Sequence, residues 1–554
     1  MSLDVIARPG GSAASHARPM SEPLRGWRAM VGFVLRRNWL RLSVWTLALV
    51  AMIPLVFESQ RAAFPTPADR QAYAAVANTP TVAALTGVPY AADTLGGILV
   101  IKIWMTIAVA LAFAASFLIT RNGRAEEEEG RTELLRSSVL GLHAYTVAGY
   151  LVIGTFVVAV GALIALVATA VGLPAAGSVP LGGSFAGVGL FFVGVSAVVG
   201  QLASTSRSAN AMAAVAIAVA FILRAVGDLN GSGDQAGWIS WLSPIGWAQH
   251  MRPFGENLWW PLALLIGGGV ALCWLALALE GRRDVGAGLV PDRPGPSYAG
   301  RFVSSPFGLA LRLERASLAG WFAAALAMAV LYGSVAIAMA DLIGSNSPLA
   351  AMLGIEAAAV MDTMLALLVM LVALVAAAFA VQSAIQLRTE EATGRAELQL
   401  SGGISRSGWA AQRLALPALG SGLILAVGGF VMGAAYGVAR GDASPAYELA
   451  GAALAYWPGI LVTIGVVIVA IGFVPRLAIA LSWAWFALMA ILSVFGELFS
   501  LPRWLIDHTP ITATPRLPAA DLALWPLILL SVIAVLLWAV GLRRFAIRDL
   551  QPGA

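Results

Sequence analysis

Cysteine, lysine and histidine are nearly absent from this chain of 554 residues. The one cysteine, Cys273, lies inside an apolar run, which excludes an intrachain disulfide and a cysteine-based metal cluster. His16, His143, His250 and His508 stand at no metal-ligand spacing. The sole lysine is Lys102, in VIKIW within another apolar run, so the phosphate loop G-x-x-x-x-G-K-[ST] cannot form. We therefore expect no ATPase site in this chain. Charge is scarce as well: 11% of residues are charged against 59% hydrophobic, with a formal net charge of +5. No basic, aromatic-interleaved segment suits a nucleic-acid groove, and the arginines flank apolar runs, where orientation signals belong.

What is present is apolar sequence in long runs. The mean hydropathy is +0.84, and one crossing of the hydrocarbon core needs roughly 20 apolar residues. Membrane helices are expected at roughly 40–58, 95–119, 144–171, 184–203, 210–226 and 259–279. A second set is expected at roughly 318–341, 355–386, 411–438, 447–471, 477–496 and 521–542. These runs are too long and continuous for barrel strands. The expected fold is an all-α polytopic membrane protein with 12 transmembrane helices as two pseudo-symmetric six-helix halves. With both termini in the cytoplasm, 26 Lys and Arg fall on the inner side and 7 outside. The first run lacks a small-residue cleavage site and is expected to be an uncleaved anchor.

The chain repeats itself at a spacing of about 265 residues. LRRNWLRLSVW at 35–45 returns as LRLERASLAGW at 311–321, and WISWLSP at 238–244 as WLIDHTP at 504–510. Arg124-x-Glu126-Glu127-x-x-Gly130-Arg131-x-Glu133-Leu134 returns as Arg388-x-Glu390-Glu391-x-x-Gly394-Arg395-x-Glu397-Leu398. An even number of spans per copy gives both copies one orientation, related by an axis along the membrane normal. The division is a disordered cytoplasmic tail over 1–23, a first transmembrane half over 24–280, a Pro- and Gly-rich cytoplasmic linker over 281–305 and a second half over 306–550. From Leu24 onward Arg25, Arg28 and Arg36 lie opposite Trp27, Met30, Val31 and Val34 on a helical wheel. That pattern suits an interfacial helix ahead of the first span; a positive-inside tail accounts equally for the arginines alone.

The acidic phrase is the chemical signal. A helix starting near Ala125 places Glu126, Glu127, Glu128 and Glu129 in its first turn, with Arg124 to Glu128 and Glu127 to Arg131 at i,i+4 spacing. Four adjacent glutamates point most of the way round such a helix, so a surplus acidic knob is expected to face a basic groove on another protein. A solvated loop would explain one such run, but not its return with Gly, Arg and Glu-x-Leu at fixed spacing. In the second copy Ala392 and Thr393 replace Glu128 and Glu129, so the two loops are expected to grip unequally.

A short loop between second and third helices with acidic residues, Gly, a basic residue and Glu-x-Leu resembles the coupling segment of ABC-2 type permeases. Those are exporters with an ABCG-like (type V exporter) fold. The doubled chain is similar to their antibiotic-exporter (tetronasin-type) branch, over essentially residues 24–550. The resemblance implies a plasma (inner) membrane permease that extrudes lipophilic drugs or antibiotics by alternating access. It implies two copies of a nucleotide-binding ATPase subunit that bind ATP and Mg and dock beneath the two loops, with no cofactor on this chain. The coupling residues would be Glu126 to Glu129, Gly130, Arg131, Glu133, Glu390, Glu391, Gly394, Arg395 and Glu397. The second and fifth helices of each half would line the substrate pathway, through Trp104, Met105, Phe113, Phe221, Met364, Met370, Trp485 and Met489. Many of these would simply face lipid or neighbouring helices.

An ion- or proton-driven multidrug transporter and a lipid transporter or scramblase are the alternatives. Lys102, Glu356 and Asp362 are the intramembrane charges such a transporter would use; a structural pair between Lys102 and Asp362 is the other explanation. The mixed segments at roughly 227–258 and 497–520 read as re-entrant elements of an outer gate or as ordinary loops with interfacial tryptophans.

Overall fold

Wherever the sequence runs apolar the backbone closes its own hydrogen bonds as helix, the one open structure that leaves no polar group facing lipid. The computed structural model describes residues 23–78, 83, 86–137, 140–230, 236–284, 286–290, 298, 300–345, 347–495 and 509–551. Side chains are described there except at 76, 136, 331, 334–335, 337–360, 439–440 and 495. Every regular element among these residues is helical. In the first half α1 (Trp27–Ala63), α2 (Pro67–Ala77), α3 (Leu95–Asn122), α4 (Arg124–Glu128) and α5 (Arg131–Arg136) come first. They are followed by α6 (Ala144–Ala170), α7 (Ala175–Leu202), α8 (Ser206–Leu229), α9 (Pro244–Gln249) and α10 (Trp260–Glu280). The second half comprises α11 (Pro306–Ser345), α12 (Ser347–Ala392), α13 (Arg395–Leu400), α14 (Arg406–Arg440), α15 (Ser444–Leu454), α16 (Trp457–Phe473), α17 (Ala478–Phe495) and α18 (Leu524–Ile547).

Eleven helical stretches among the described residues are long and apolar enough to cross a bilayer. The segment expected as the eleventh of twelve spans is α17, which is apolar but shorter. Two expectations change. No boundary separates an interfacial helix from the first span: α1 runs unbroken for 37 residues, because Arg, Leu and Trp continue the ladder and no proline precedes Pro54. At 1.5 Å per residue it is about 55 Å long, so its basic first turns can extend past a core about 30 Å thick. The tenth span is split into α15 and α16 at Ala455 and Tyr456, just ahead of Pro458, whose nitrogen has no proton to donate.

The two halves pack alike. In the first, α1 lies on α6, α6 on α7, and α7 on both α10 and α3. In the second, α11 lies on α14, α14 on α15, and α16 on both α18 and α12. Lipid tails are as apolar as leucine, so these contacts rest on close fit rather than on escape from water. At the α6–α7 crossing a Cβ on Gly182 would stand 2.2 Å from the Gly161 carbonyl oxygen, so only glycine permits that approach. The chain divides into two compact units, residues 1–294 and 295–554. Each has its own core, around Leu99, Ile107 and Phe185 in one and Val369, Phe379 and Ile464 in the other.

Candidate functional site: a repeated arginine and glutamate clamp

The acidic phrase begins where α3 loses its helical twist. Gly123 leaves the helix, α4 makes a single turn, and Gly130 at φ 70° turns the chain into α5. Gly394 does the same at φ 75° between α12 and α13. The expected continuous acidic helix is therefore two short ones. A left-handed residue interrupts the i to i−4 ladder, and the expected pairs of Arg124 with Glu128 and Glu127 with Arg131 do not form.

What forms is a buried triad, twice. Arg124, whose side chain is fully buried, donates to Glu127 at 2.7 Å, to the Ala287 carbonyl at 2.9 Å and to the Ala203 carbonyl. Arg283 donates to both oxygens of Glu127, at 2.5 and 2.8 Å, and to Gln201 Oε1 at 2.6 Å. In the second half Arg388 donates to the Pro475 carbonyl at 3.0 Å and the Gln551 carbonyl at 3.1 Å, and lies 3.4 Å from Glu391. Arg548 donates to both Glu391 oxygens at 2.5 and 2.6 Å, and the Gln551 N–H adds a third bond at 3.0 Å. Ala203 and Pro475 follow the ends of α7 and α16, while Ala287 and Gln551 follow α10 and α18. Each triad thus ties together the ends of the second, fourth and sixth spans of its half. On the α7 side the Arg124 guanidinium sits on the carbonyl of Ala203, the C-cap of that helix, where positive charge is favoured.

The neighbouring glutamates differ between halves. Glu126 receives Arg131 at 2.7 and 3.0 Å and Arg37 of α1 at 2.5 Å. Glu390 receives Arg413 of α14 at 2.8 Å, which also lies 2.9 Å from Glu314 of α11. Glu128 accepts the Ser206 N–H and O–H at 2.6 and 2.5 Å, capping the first turn of α8. Its counterpart Ala392 cannot do so. Glu129 pairs with Arg131 and is half-exposed.

The surplus acidic knob is therefore corrected: Glu126, Glu127, Glu390 and Glu391 turn inward to arginines of their own half. Composition alone could not reveal this, because the partners Arg37, Arg283, Arg413 and Arg548 are far away in sequence. Two exposed pairs remain on the short helices, Glu133 with Leu134 and Glu397 with Leu398, beside an exposed Arg395. Leu134 is 74% exposed and Leu398 78%. A leucine held out twice at one place in the repeat is the feature that the sequence pattern contained and charge counting passed over.

The expected pathway residues divide. Trp104 is buried, its Nε1 donating to Ser184 Oγ at 2.8 Å and its ring stacked on Phe185, so it joins α3 to α7. Met370 and Met489 are also buried in their half. Met105, Phe113, Phe221, Met364 and Trp485 are half-buried. Lys102 stands over the rings of Phe64 and Tyr73, 5.2 and 5.5 Å from their centroids. Asp362 is half-buried on α12. Glu356 is on the same helix, but its side chain lies outside the described ones, as do residues 504–508 of the second Pro-containing repeat. Ser243 of the first repeat caps α9 and Pro244 begins it, and Ser243 Oγ donates to the Ala220 carbonyl of α8 at 2.6 Å. Sequence reading also passed over a buried pair on α8, Arg224 with Asp228 at 3.1 Å, although its i,i+4 spacing was visible.

Long apolar helices in two like-packed halves, with the polar clusters gathered at helix ends, define an integral membrane protein. Over 561 residues covering 100% of both chains, the sequence is 34% identical to the multidrug efflux system permease protein Rv1217c of Mycobacterium tuberculosis (strain ATCC 25618 / H37Rv). The domain described as the C-terminal domain of multidrug efflux system permease Rv1217c matches residues 303–546. The chain belongs to this family of multidrug efflux permeases.

Proposed function

We propose that this chain is the plasma-membrane permease subunit of an ATP-driven exporter of lipophilic compounds, of the ABC-2 type. Two copies of a separate nucleotide-binding subunit, carrying ATP and Mg, would dock on α5 and α13. The observation that carries the proposal is the repeated clamp. A push on α5 or α13 acts on a rigid joint of three span ends, so it moves a helix bundle rather than bending a loop. The exposed Leu134 and Leu398, each beside a glutamate, suit a partner groove with an apolar floor and a basic rim. Efflux as the direction draws support from the relative's printed role, and the half-buried Met105, Phe113, Phe221, Met364 and Trp485 offer adaptable apolar contacts for varied cargo. The test is capture of a co-encoded ATPase by the chain. Leu134→Glu with Leu398→Glu should abolish capture and drug resistance while the variant still inserts and unfolds at the parent temperature. Uphill drug export by the purified chain in vesicles without any ATPase would overturn the proposal.

A further inference from the structure

Where α1 meets the end of α3 nearest the first clamp, bonds from two successive residues fix one helix on the other. Arg37 donates to Glu126 at 2.5 Å, and Asn38 Nδ2 donates to Asn122 Oδ1 at 2.8 Å. Arg41 stands one turn further along α1, and Arg121 precedes Asn122 on α3. The charges of Arg41, Arg37 and Arg131 all act on the Arg121 guanidinium, that of Arg41 most strongly. Four arginines thus meet two glutamates, Glu126 and Glu129, which leaves two positive charges in excess. Glu127 and Glu128 do not balance them, since Glu127 is enclosed by Arg124 and Arg283 and Glu128 caps α8. Arg41 and Arg121 are exposed, and neither has a hydrogen-bond or ion-pair partner among the described residues. The Tyr145 hydroxyl of α6, buried within range of Arg37, Arg121 and Arg131, has no hydrogen-bond partner among them either. Like charges held this close repel one another, and an anion set between them removes that cost.

The second half shows that the fold does not require this excess. LRRNWLRLSVW and LRLERASLAGW set Leu313, Glu314 and Ser317 against Arg37, Asn38 and Arg41, and the acidic phrase, carried three residues back, sets Ile385 against Arg121. There α11 still lies on α12, Glu314 faces Arg413, and Ser317 accepts from Gln382 at 3.4 Å. The surface next to Arg41 and Arg121 is apolar. Val44, Ala48 and Leu55 follow Arg41 on one face of α1, and all three are exposed. On α3, Phe117 is exposed one turn before Arg121, its ring stacked on Phe113 at 5.8 Å. Both helices are long and apolar enough to cross a bilayer, so the two arginines stand at the rim of a lipid-facing strip. A guanidinium matches a phosphate with two parallel hydrogen bonds, and basic residues at a membrane surface draw anionic lipid. A phosphate from solution would meet the same cations but leave the strip uncovered.

We infer that Arg41 and Arg121 hold the phosphate of an anionic phospholipid from the leaflet on the clamp's side, with an acyl chain lying along Val44, Ala48 and Phe117. The inference goes beyond the export proposal and does not rest on it. The experiment uses the full-length chain in mild detergent with no ATPase present and counts retained lipid by native mass spectrometry. The probes are phosphatidylglycerol and phosphatidylcholine of the same acyl chains, with glycerol 1-phosphate as the headgroup without a chain. The parent should hold phosphatidylglycerol about tenfold more tightly than phosphatidylcholine and should not retain glycerol phosphate. Arg41→Ser with Arg121→Ile, the residues that the second half carries at these places, should bring the two lipids to within about twofold. Thermal unfolding of that variant in phosphatidylcholine should match the parent. Each substitution alone should lose about threefold of the preference, so the test stands even where the double variant does not fold. Arg28→Gln with Arg36→Gln removes two exposed arginines about 140° round α1 from Arg41 and should leave the preference unchanged. Equal retention of both lipids by the parent, or a preference that survives the substitutions at Arg41 and Arg121, would overturn the inference. So would an equal loss in the Arg28 and Arg36 variant, or glycerol phosphate binding as tight as the lipid.

Discussion

Glu391 and Leu398 lie seven positions apart in the repeated phrase and meet opposite environments. The Glu391 side chain is fully buried between two guanidinium groups. A buried ion cluster adds little net stability over an apolar one, but removing a single partner strands the remaining charges, at about 3 to 5 kcal/mol. Glu391→Ala should accordingly cost the second half several kcal/mol, read as a lowered unfolding temperature in detergent. Leu398→Ala, at an exposed site, should change stability by about 0.5 kcal/mol or less. If coupling runs through α13, the order reverses for ATPase capture measured on folded protein, with Leu398→Ala the more damaging at equal stability. The phrase marked these residues as a repeated set. It could not show which face inward, because that depends on arginines about 160 positions away at the far end of the half.

At the level of elements, the short helices α5 and α13 owe their direction to one residue each. Gly130 and Gly394 hold positive φ, and a Cβ on either would meet nothing within 4 Å. Substitution there meets no steric neighbour, and its cost is that of the left-handed backbone, about 1 kcal/mol for alanine. Gly130→Ala and Gly394→Ala should each lower stability by about that amount and, by letting α4 or α12 continue as helix, misdirect α5 or α13. Drug resistance should then fall more than protein level does, which quantitative blotting against growth inhibition would check. The long helices themselves were legible from hydropathy. Their ends were not, since the continuation of α1 back to Trp27 and the break before Pro458 both turn on local backbone chemistry inside apolar or amphipathic sequence.

For the whole molecule, duplication makes two statements about stability. Each unit has its own core and its own clamp, Arg124, Glu127 and Arg283 in the first and Arg388, Glu391 and Arg548 in the second. A chain cut within the linker at 291–297 and co-expressed as two pieces should therefore assemble in the membrane and restore drug resistance to within a few-fold of the intact protein. Resistance lost with both pieces inserted at normal level would show that the linker does more than join. The glutamates neighbouring the triads are braced differently, Glu126 by Arg37 from the first span and Glu390 by Arg413 from the third. Equal motors would on this account meet joints of unequal stiffness.

Sequence by itself determined the class of protein, the two-half design and the place of the repeated acidic phrase. Apolar length and internal repetition are properties of the chain read in order, and lipid admits one way of satisfying an unbroken apolar backbone. Tertiary structure alone decided which glutamates are buried and which leucines stand exposed. Those outcomes rest on groups drawn together from spans distant in sequence, and neither composition nor local spacing carries that distance.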